Sequence, residues 1–292
     1  MYISDIIKNK KFTFSLEIFP PKKDGSIDTI YKTLEALAPI KPDYISVTYG
    51  AGGNPADNST CEIATIIKER YGIEPLVHLT CINSDKKQVD DTLGFLKEKG
   101  ISNILALRGD RNPDVPPKTD FTYASDLTKY IMNRGGFDVA GACYPETHPE
   151  AISMDIDIRN LKTKVDAGAS HLVSQLFFDN NDFYNYMYKL RDNGINVPVQ
   201  AGIMPVTNKK QIERMVSMCG ASLPKKFTKI MSKYDSSPEA LCDAGCAYAI
   251  EQIIDLITNG IDGIHLYTMN RPEIALKIYD SIKNIMDCVN RG

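Results

Sequence analysis

The chain has 292 residues, and 34 lysines and arginines against 37 aspartates and glutamates leave a formal charge of −3. So slight an imbalance gives no electrostatic reason to expect a nucleic-acid partner. With 43% hydrophobic and 24% charged residues the chain can bury a large core, and its length is close to the roughly 250 residues of one α/β barrel.

No run approaches the ~18 consecutive apolar residues of a membrane span. Met1 to Lys11 lacks the apolar centre and small-residue cleavage site of a secretory signal, so no membrane is implied and the cytoplasm is the expected compartment. The seven cysteines (Cys61, Cys81, Cys143, Cys219, Cys242, Cys246, Cys288) are scattered and form no C-x-x-C pair. They read as reduced thiols rather than a disulfide framework or a thiolate metal site.

Short β-rich runs alternate with longer stretches of helical period along the whole chain, the pattern of βαβ units and a parallel sheet. Eight runs are predicted as strands: Phe12 to Phe19, Tyr44 to Thr48, Leu76 to Leu79, Ile104 to Leu107, Val139 to Ala142, His171 to Gln175, Val199 to Ile203 and Ile264 to Tyr267. Between the third and fourth, Val89, Leu93 and Leu96 recur at helical spacing and Gly100 follows as a stop. The helix before the sixth strand stops similarly at Asp166-Ala167-Gly168-Ala169. After the seventh come three helical stretches, Lys209 to Met218, Pro224 to Tyr234 and Pro238 to Thr258. An open doubly wound sheet has more often about five or six strands. The pattern therefore predicts a single (β/α)8 TIM-type barrel over residues 1–292, with extra helices between strands 7 and 8. No linker, charge block or low-complexity tract divides the chain.

Barrel enzymes carry their chemistry at the C-terminal ends of the strands, and polar residues crowd there. Strand one holds Glu17, strand two runs into Thr48-Tyr49-Gly50-Ala51-Gly52-Gly53, and strand three ends at His78-Leu79-Thr80. Strand four ends at Arg108-Gly109-Asp110, strand five opens into Tyr144-Pro145-Glu146-Thr147-His148-Pro149, strand six supplies Gln175, and strand eight ends at Tyr267-Thr268-Met269-Asn270-Arg271. Glu17 lies among Leu16, Ile18 and Phe19, apolar surroundings that suit a proton-donating carboxyl; a solvent-facing residue, or one paired with Lys22, is the plain alternative. Asp110 is either part of a local ion pair with Arg108 or a member of the active face.

The four histidines, His78, His148, His171 and His265, include no H-x-x-x-H or H-E-x-x-H pair, so no metal site is expected. Gly50-Ala51-Gly52-Gly53 is not a dinucleotide fingerprint, since G-x-G-x-x-G would require glycine where Pro55 stands. There is no G-x-x-x-x-G-K-[ST] phosphate loop. Cys242 and Cys246 share a helical face, a spacing that reads as packing.

Taken in order, Leu16-Glu17-Ile18-Phe19-Pro20-Pro21-Lys22, Val47-Thr48-Tyr49-Gly50-Ala51-Gly52-Gly53, His78-Leu79-Thr80, Leu107-Arg108-Gly109-Asp110, Tyr144-Pro145-Glu146-Thr147-His148-Pro149-Glu150, Gln175-Leu176-Phe177-Phe178-Asp179 and Tyr267-Thr268-Met269-Asn270-Arg271 resemble the methylenetetrahydrofolate reductase family. The match runs from Phe12 to about Ile278. The resemblance implies a barrel that binds FAD at its C-terminal face and reduces 5,10-methylenetetrahydrofolate to 5-methyltetrahydrofolate. In that family NADH or NADPH reduces the flavin, which then passes a hydride to the folate in ping-pong fashion.

The resemblance makes Glu17 the general acid that helps open the imidazolidine ring, and places Asp110 beside flavin and pterin as a stabilising negative charge. It assigns FAD contacts to Tyr49, Ala51, His78, Arg108, Gly109, Asp110, Ala124, Tyr144, His148, Ala151, Asp157, Asn160 and Lys164. Gln175 would serve the site shared by folate and nicotinamide, Thr48 would touch the nicotinamide, and Gln211 and Arg271 the folate.

Two departures stand out: Met215 occupies a position where some relatives carry an aromatic residue, and Thr163 one where some carry a basic residue. The chain stops at Gly292 without the S-adenosylmethionine-binding extension of animal relatives, so feedback control by that ligand is not expected. Two other readings compete. One is an aldolase with a Schiff-base lysine, for which Lys162 or Lys164 would have to stand at a strand end although both precede strand six on a helix. The other is a flavin- or folate-binding subunit that takes electrons from a partner redox protein. Family behaviour also implies a homo-oligomer.

Overall fold

The structure, a computed structural model, describes residues 1–21, 25–49, 59–111 and 116–291, the side chain of Gln211 excepted. Eight strands form one closed parallel barrel in sequence order: β1 (Thr13–Ile18), β2 (Tyr44–Val47), β3 (Glu74–Thr80), β4 (Asn103–Leu107), β5 (Asp138–Cys143), β6 (His171–Ser174), β7 (Val199–Ile203) and β8 (Gly263–Tyr267). The barrel closes where β1 pairs with β8, in a register that runs from Thr13 opposite Gly263 to Glu17 opposite Tyr267. The predicted barrel, with its extra helices between β7 and β8, is what the chain forms.

The described residues also form eleven α-helices: α1 (Ile3–Lys8), α2 (Ile27–Leu37), α3 (Ser59–Tyr71), α4 (Lys86–Glu98), α5 (Ala124–Arg134), α6 (Met154–Asp166), α7 (Asn180–Asp192), α8 (Lys209–Cys219), α9 (Lys225–Tyr234), α10 (Pro238–Thr258) and α11 (Pro272–Arg291). Local chemistry starts several of them. Asp85 and Gln88 make a reciprocal capping box before α4, Ser153 caps α6, and Ser237 caps α10 with Pro238 in the first turn.

Alternation along β1 divides it between two environments. Phe14, Leu16 and Ile18 pack into the apolar shell between sheet and helices. Thr13, Ser15 and Glu17 instead bond across the barrel interior, to Gln200, His265 and Ser46 respectively. Each fully buried Leu or Ile of the shell contributes about 1.5–3 kcal/mol, so the shell carries the stability and frees the interior for polar residues.

Helix α1, which the sequence pattern did not predict, floors the barrel. Ile3 and Ile7 pack with Tyr44, Leu76, Leu105, Ala140 and Val173, while the N–H groups of Ile3 and Ser4 donate to Asn103 Oδ1 at 2.9 Å and Asp138 Oδ2 at 2.8 Å. The helices after β7 build a second apolar cluster beside the C-terminal mouth, in which Phe178 stacks on Phe227 at 5.0 Å with Val206, Ile212 and Met231 around them. Helix α10 comes so close to this segment that a Cβ on Gly245 would lie 1.7 Å from the Val206 carbonyl oxygen.

Candidate active site

At the upper end of the barrel interior Glu17 is 5% exposed, which overturns the solvent-facing alternative. Its Oε2 accepts from Ser46 Oγ at 3.4 Å, lies 3.3 Å from His265 Nε2 and is 3.6 Å from His78 Nε2. The backbone is pinned as well, since the Thr268 hydroxyl and N–H both donate to the Glu17 carbonyl, at 2.6 and 3.2 Å. Just beyond, Asn270 exchanges two hydrogen bonds with the backbone of Phe19, at 2.8 and 2.9 Å. Asn270 does so from a left-handed conformation, φ 55°, which asparagine tolerates better than most residues. The ends of β1 and β8 are thus locked together around the carboxyl.

His78 is buried, and burial takes its pKa down to about 4. Its ring is neutral near pH 7, and its Nε2 has no hydrogen-bond partner within the protein. An unpartnered polar atom at the mouth of a barrel is suited to a ligand that completes it.

The ends of β4 and β5 present a cationic set. Arg108 directs both terminal nitrogens onto Glu150, at 2.6 and 2.7 Å, rather than pairing locally with Asp110, which is exposed. Lys164 reaches from α6 to donate to the Ala142 carbonyl at 2.6 Å, and burial lowers the pKa of its ammonium. Its stem crosses Gly141, where a Cβ would come within 2.7 Å of Lys164 Cδ. Between these cations Tyr144 meets His148 edge-on at 4.6 Å, and Asp157 accepts the His148 backbone N–H at 2.8 Å. Burial pushes the Tyr144 phenol up to about 12 and lowers the His148 pKa. Gly109 turns the chain at φ +89°, and a Cβ there would meet Thr80 Cβ at 3.0 Å, so the backbone passes where no side chain fits.

The remaining positions divide by strand order. Tyr49 follows β2 and packs partly against the shell, Ala124 opens α5, Ala151 donates its N–H to the His148 carbonyl at 2.8 Å, and Asn160 is exposed on α6. With His78, Arg108, Gly109, Asp110, Tyr144, His148, Asp157 and Lys164 they lie on or after the consecutive strands β2 to β5. Ala51 lies outside the described residues. Of the other group, Thr48 follows β2 and Gln175 follows β6, with its Oε1 occupied by the Leu176 N–H at 2.8 Å. Gln211 belongs to α8, and Arg271 follows β8, exposed and bonded to Glu273 at 2.8 Å. Lys162 pairs with Asp166 on the outer face of α6, and Lys164 is spent on a carbonyl, so neither offers a free amine at a strand end.

Sequence reasoning gave no role to His265, Ser15 or Ser46. The available signal was the two-residue alternation of β8, which turns Gly263, His265 and Tyr267 to one side. Tyr267 confirms that face by donating to the Ser174 carbonyl at 2.9 Å, in the space that Gly202 leaves open. No group of three or more potential metal ligands is present among the described residues, and none of their helices is long and apolar enough to cross a membrane.

Residues 2–283 match the profile of the family described as methylenetetrahydrofolate reductase. The 5,10-methylenetetrahydrofolate reductase of Pectobacterium carotovorum is 37% identical over 268 residues, 92% of this chain and 89% of that protein. The Escherichia coli protein of the same name is 35% identical over 266 residues, 90% of this chain and 88% of its own. Methylenetetrahydrofolate reductase (NADH) 1 of Arabidopsis thaliana is 34% identical over 291 residues, and there the match spans 49% of the longer plant protein. Among solved structures, a Clostridium thermocellum protein described as uncharacterized and binding two copies of 5-methyl-5,6,7,8-tetrahydrofolic acid superposes with a TM-score of 0.64 at 14% identity. It covers 99% of this chain and all of that one, a likeness of fold.

Proposed function

The chain belongs to the methylenetetrahydrofolate reductase family, and from that premise we propose that it reduces 5,10-methylenetetrahydrofolate to 5-methyltetrahydrofolate with FAD and a nicotinamide donor. The observation that carries this reading is the buried Glu17 carboxyl, locked at the barrel mouth opposite the cationic arc of Arg108 and Lys164. That arc fits the cofactor: two cations and neutral ring donors suit a diphosphate, and the orphaned His78 Nε2 suits a heteroaromatic edge. When bound, FAD would supply temporary storage of one hydride between donor and folate.

The protein's own residues do the rest. Glu17 gives a proton to the substrate nitrogen as the imidazolidine ring opens, and the resulting cation meets the negative charge of Asp110. Gln175, with its oxygen already engaged, offers its N–H2 to whichever ligand occupies the shared site. Thr48, Gln211 and Arg271 contact the nicotinamide and folate, the arginine matching an anionic glutamate tail.

Anaerobic stopped-flow absorbance of the purified chain tests this directly. Mixing with NADH or NADPH should bleach the flavin band, and methylenetetrahydrofolate should restore it. Bound FAD that neither nicotinamide bleaches, with recovery only after chemical reduction, would mean that a partner redox protein supplies the electrons.

A further inference from the structure

His265 is fully buried between Glu17, Ser46 and Ser15. Its Nδ1 lies 2.8 Å from Ser15 Oγ, and Ser15 Oγ donates to the Ile264 carbonyl at 3.1 Å. A hydroxyl has one proton, so once that proton points at the carbonyl only lone pairs face the ring. Nδ1 therefore carries the hydrogen, and in the neutral ring Nε2 presents a lone pair. That lone pair faces Glu17 Oε2 across 3.3 Å. Two acceptors this close in a dry site repel unless a proton lies between them. Ser46 Oγ, 3.2 Å from Nε2 and 3.4 Å from Oε2, can donate to only one of the two.

We propose that Glu17 carries its transferable proton as an O–H donated to His265 Nε2, and that Ser15 and His265 are positioning residues that keep Glu17 loaded by locking the imidazole in its Nδ1–H form. The proposal deepens the reading of Glu17 as the acid for the folate. On transfer the Glu17 O–H bond breaks and an N–H bond forms on the substrate, while the electron pair stays on the carboxylate, which the Ser46 hydroxyl then solvates. One proton from solvent restores the acid before the next turnover, and no electron passes through the pair.

Four titratable groups face the pair from neighbouring strands. Tyr44 on β2 stacks on the His265 ring at 5.9 Å, Tyr267 on β8 meets it edge-on at 5.7 Å, and His78 on β3 and His171 on β6 complete the set. Burial pushes both phenols up and takes both imidazoles down to about 4, so none of the four changes charge near neutrality.

Infrared titration of the full-length chain, with the Glu17 carboxyl band identified by its loss in Glu17→Gln, tests the proposal without any ligand. In the wild type the band should be that of a protonated acid at pH 7. Ser15→Ala frees the imidazole to place its hydrogen on Nε2 and donate it to a carboxylate, so the proton affinity of Glu17 should fall about tenfold. His265→Phe keeps the ring stack but removes both nitrogens, so Glu17 loses the acceptor that holds its proton and its affinity should fall as well. The folate half-reaction of both variants should slow by about 10- to 100-fold, with flavin reduction by the nicotinamide much less affected. A carboxylate band in the wild type at pH 7, or an affinity that does not fall in either variant, overturns the proposal. If His265→Phe fails to fold, the near-isosteric Ser15→Ala decides alone. A wild type that shows the acid band yet never reduces folate would sink the functional reading and leave the proton arrangement standing.

Discussion

Glu17→Gln retains the size and hydrogen bonding of the side chain but has no proton to give. The variant should bind FAD and accept reducing equivalents from the nicotinamide, while folate reduction falls by about 10²–10⁴-fold, the usual worth of a positioned general acid. Single-turnover absorbance of each half-reaction checks this, and normal folate reduction would remove Glu17 from the role. Glu150→Gln tests the opposite side of the mouth. Glu150 neutralises Arg108 with two short hydrogen bonds, which a phosphate of the proposed cofactor would have to displace. Removing the carboxylate charge should tighten FAD binding several-fold in a fluorescence titration, and unchanged or weaker binding would show that the pair does not compete with the cofactor. At this scale the sequence singled out residues that sit in one short motif, as with Glu17 in Leu16-Glu17-Ile18-Phe19-Pro20-Pro21, which the fold buries at the barrel mouth. It hid His265 and Ser15, because their meaning lies in a hydrogen bond between residues 250 positions apart, and no local pattern records that.

Among the elements, strands and long helices were legible because both faces of the sheet must be covered and each covering leaves a period in the sequence. The third strand began earlier than predicted. β3 starts at Glu74 and Pro75 sits opposite Ile45, since a proline near the start of a strand forfeits little of the ladder. Helix α1 left no readable period because it has only six residues, and its fixing groups, Asn103 and Asp138, lie about a hundred residues or more downstream. Helix α10 invites a stability test. Gly245→Ala places a methyl 1.7 Å from the Val206 carbonyl oxygen, a backbone atom that cannot turn aside. The overpacking should cost about 1–3 kcal/mol or more, read as a lower urea midpoint, despite alanine's better helix propensity. A midpoint at or above wild type would mean that α10 can retreat from the β7 segment without loss.

Across the whole molecule, the polar barrel interior makes stability depend on pH. His78 and His171 are buried as neutral rings with pKa values of about 4, against 6.5 when exposed. Between these values the unfolded chain binds more protons than the folded one, so stability rises with pH and is lost as pH falls from about 6.5 toward 4. The loss approaches ~1.4 kcal/mol per pH unit for each histidine within that window and levels off for these groups below it. Urea midpoints at pH 7.5, 5.5 and 4.5 should descend in that order, and a flat series would contradict the assignment.

The closing seam has a consequence in time. The Phe12 backbone, just before β1, exchanges hydrogen bonds with the Asn290 side chain, at 3.0 and 3.1 Å and 278 residues along the chain. At a ribosomal pace of about 5–20 residues per second, roughly 15–60 s separate the emergence of the two partners. For most of that interval, until β8 is made, the first strand stands with one edge bare. The nascent barrel is thus most exposed to pairing with a neighbouring chain just before its own final strand arrives.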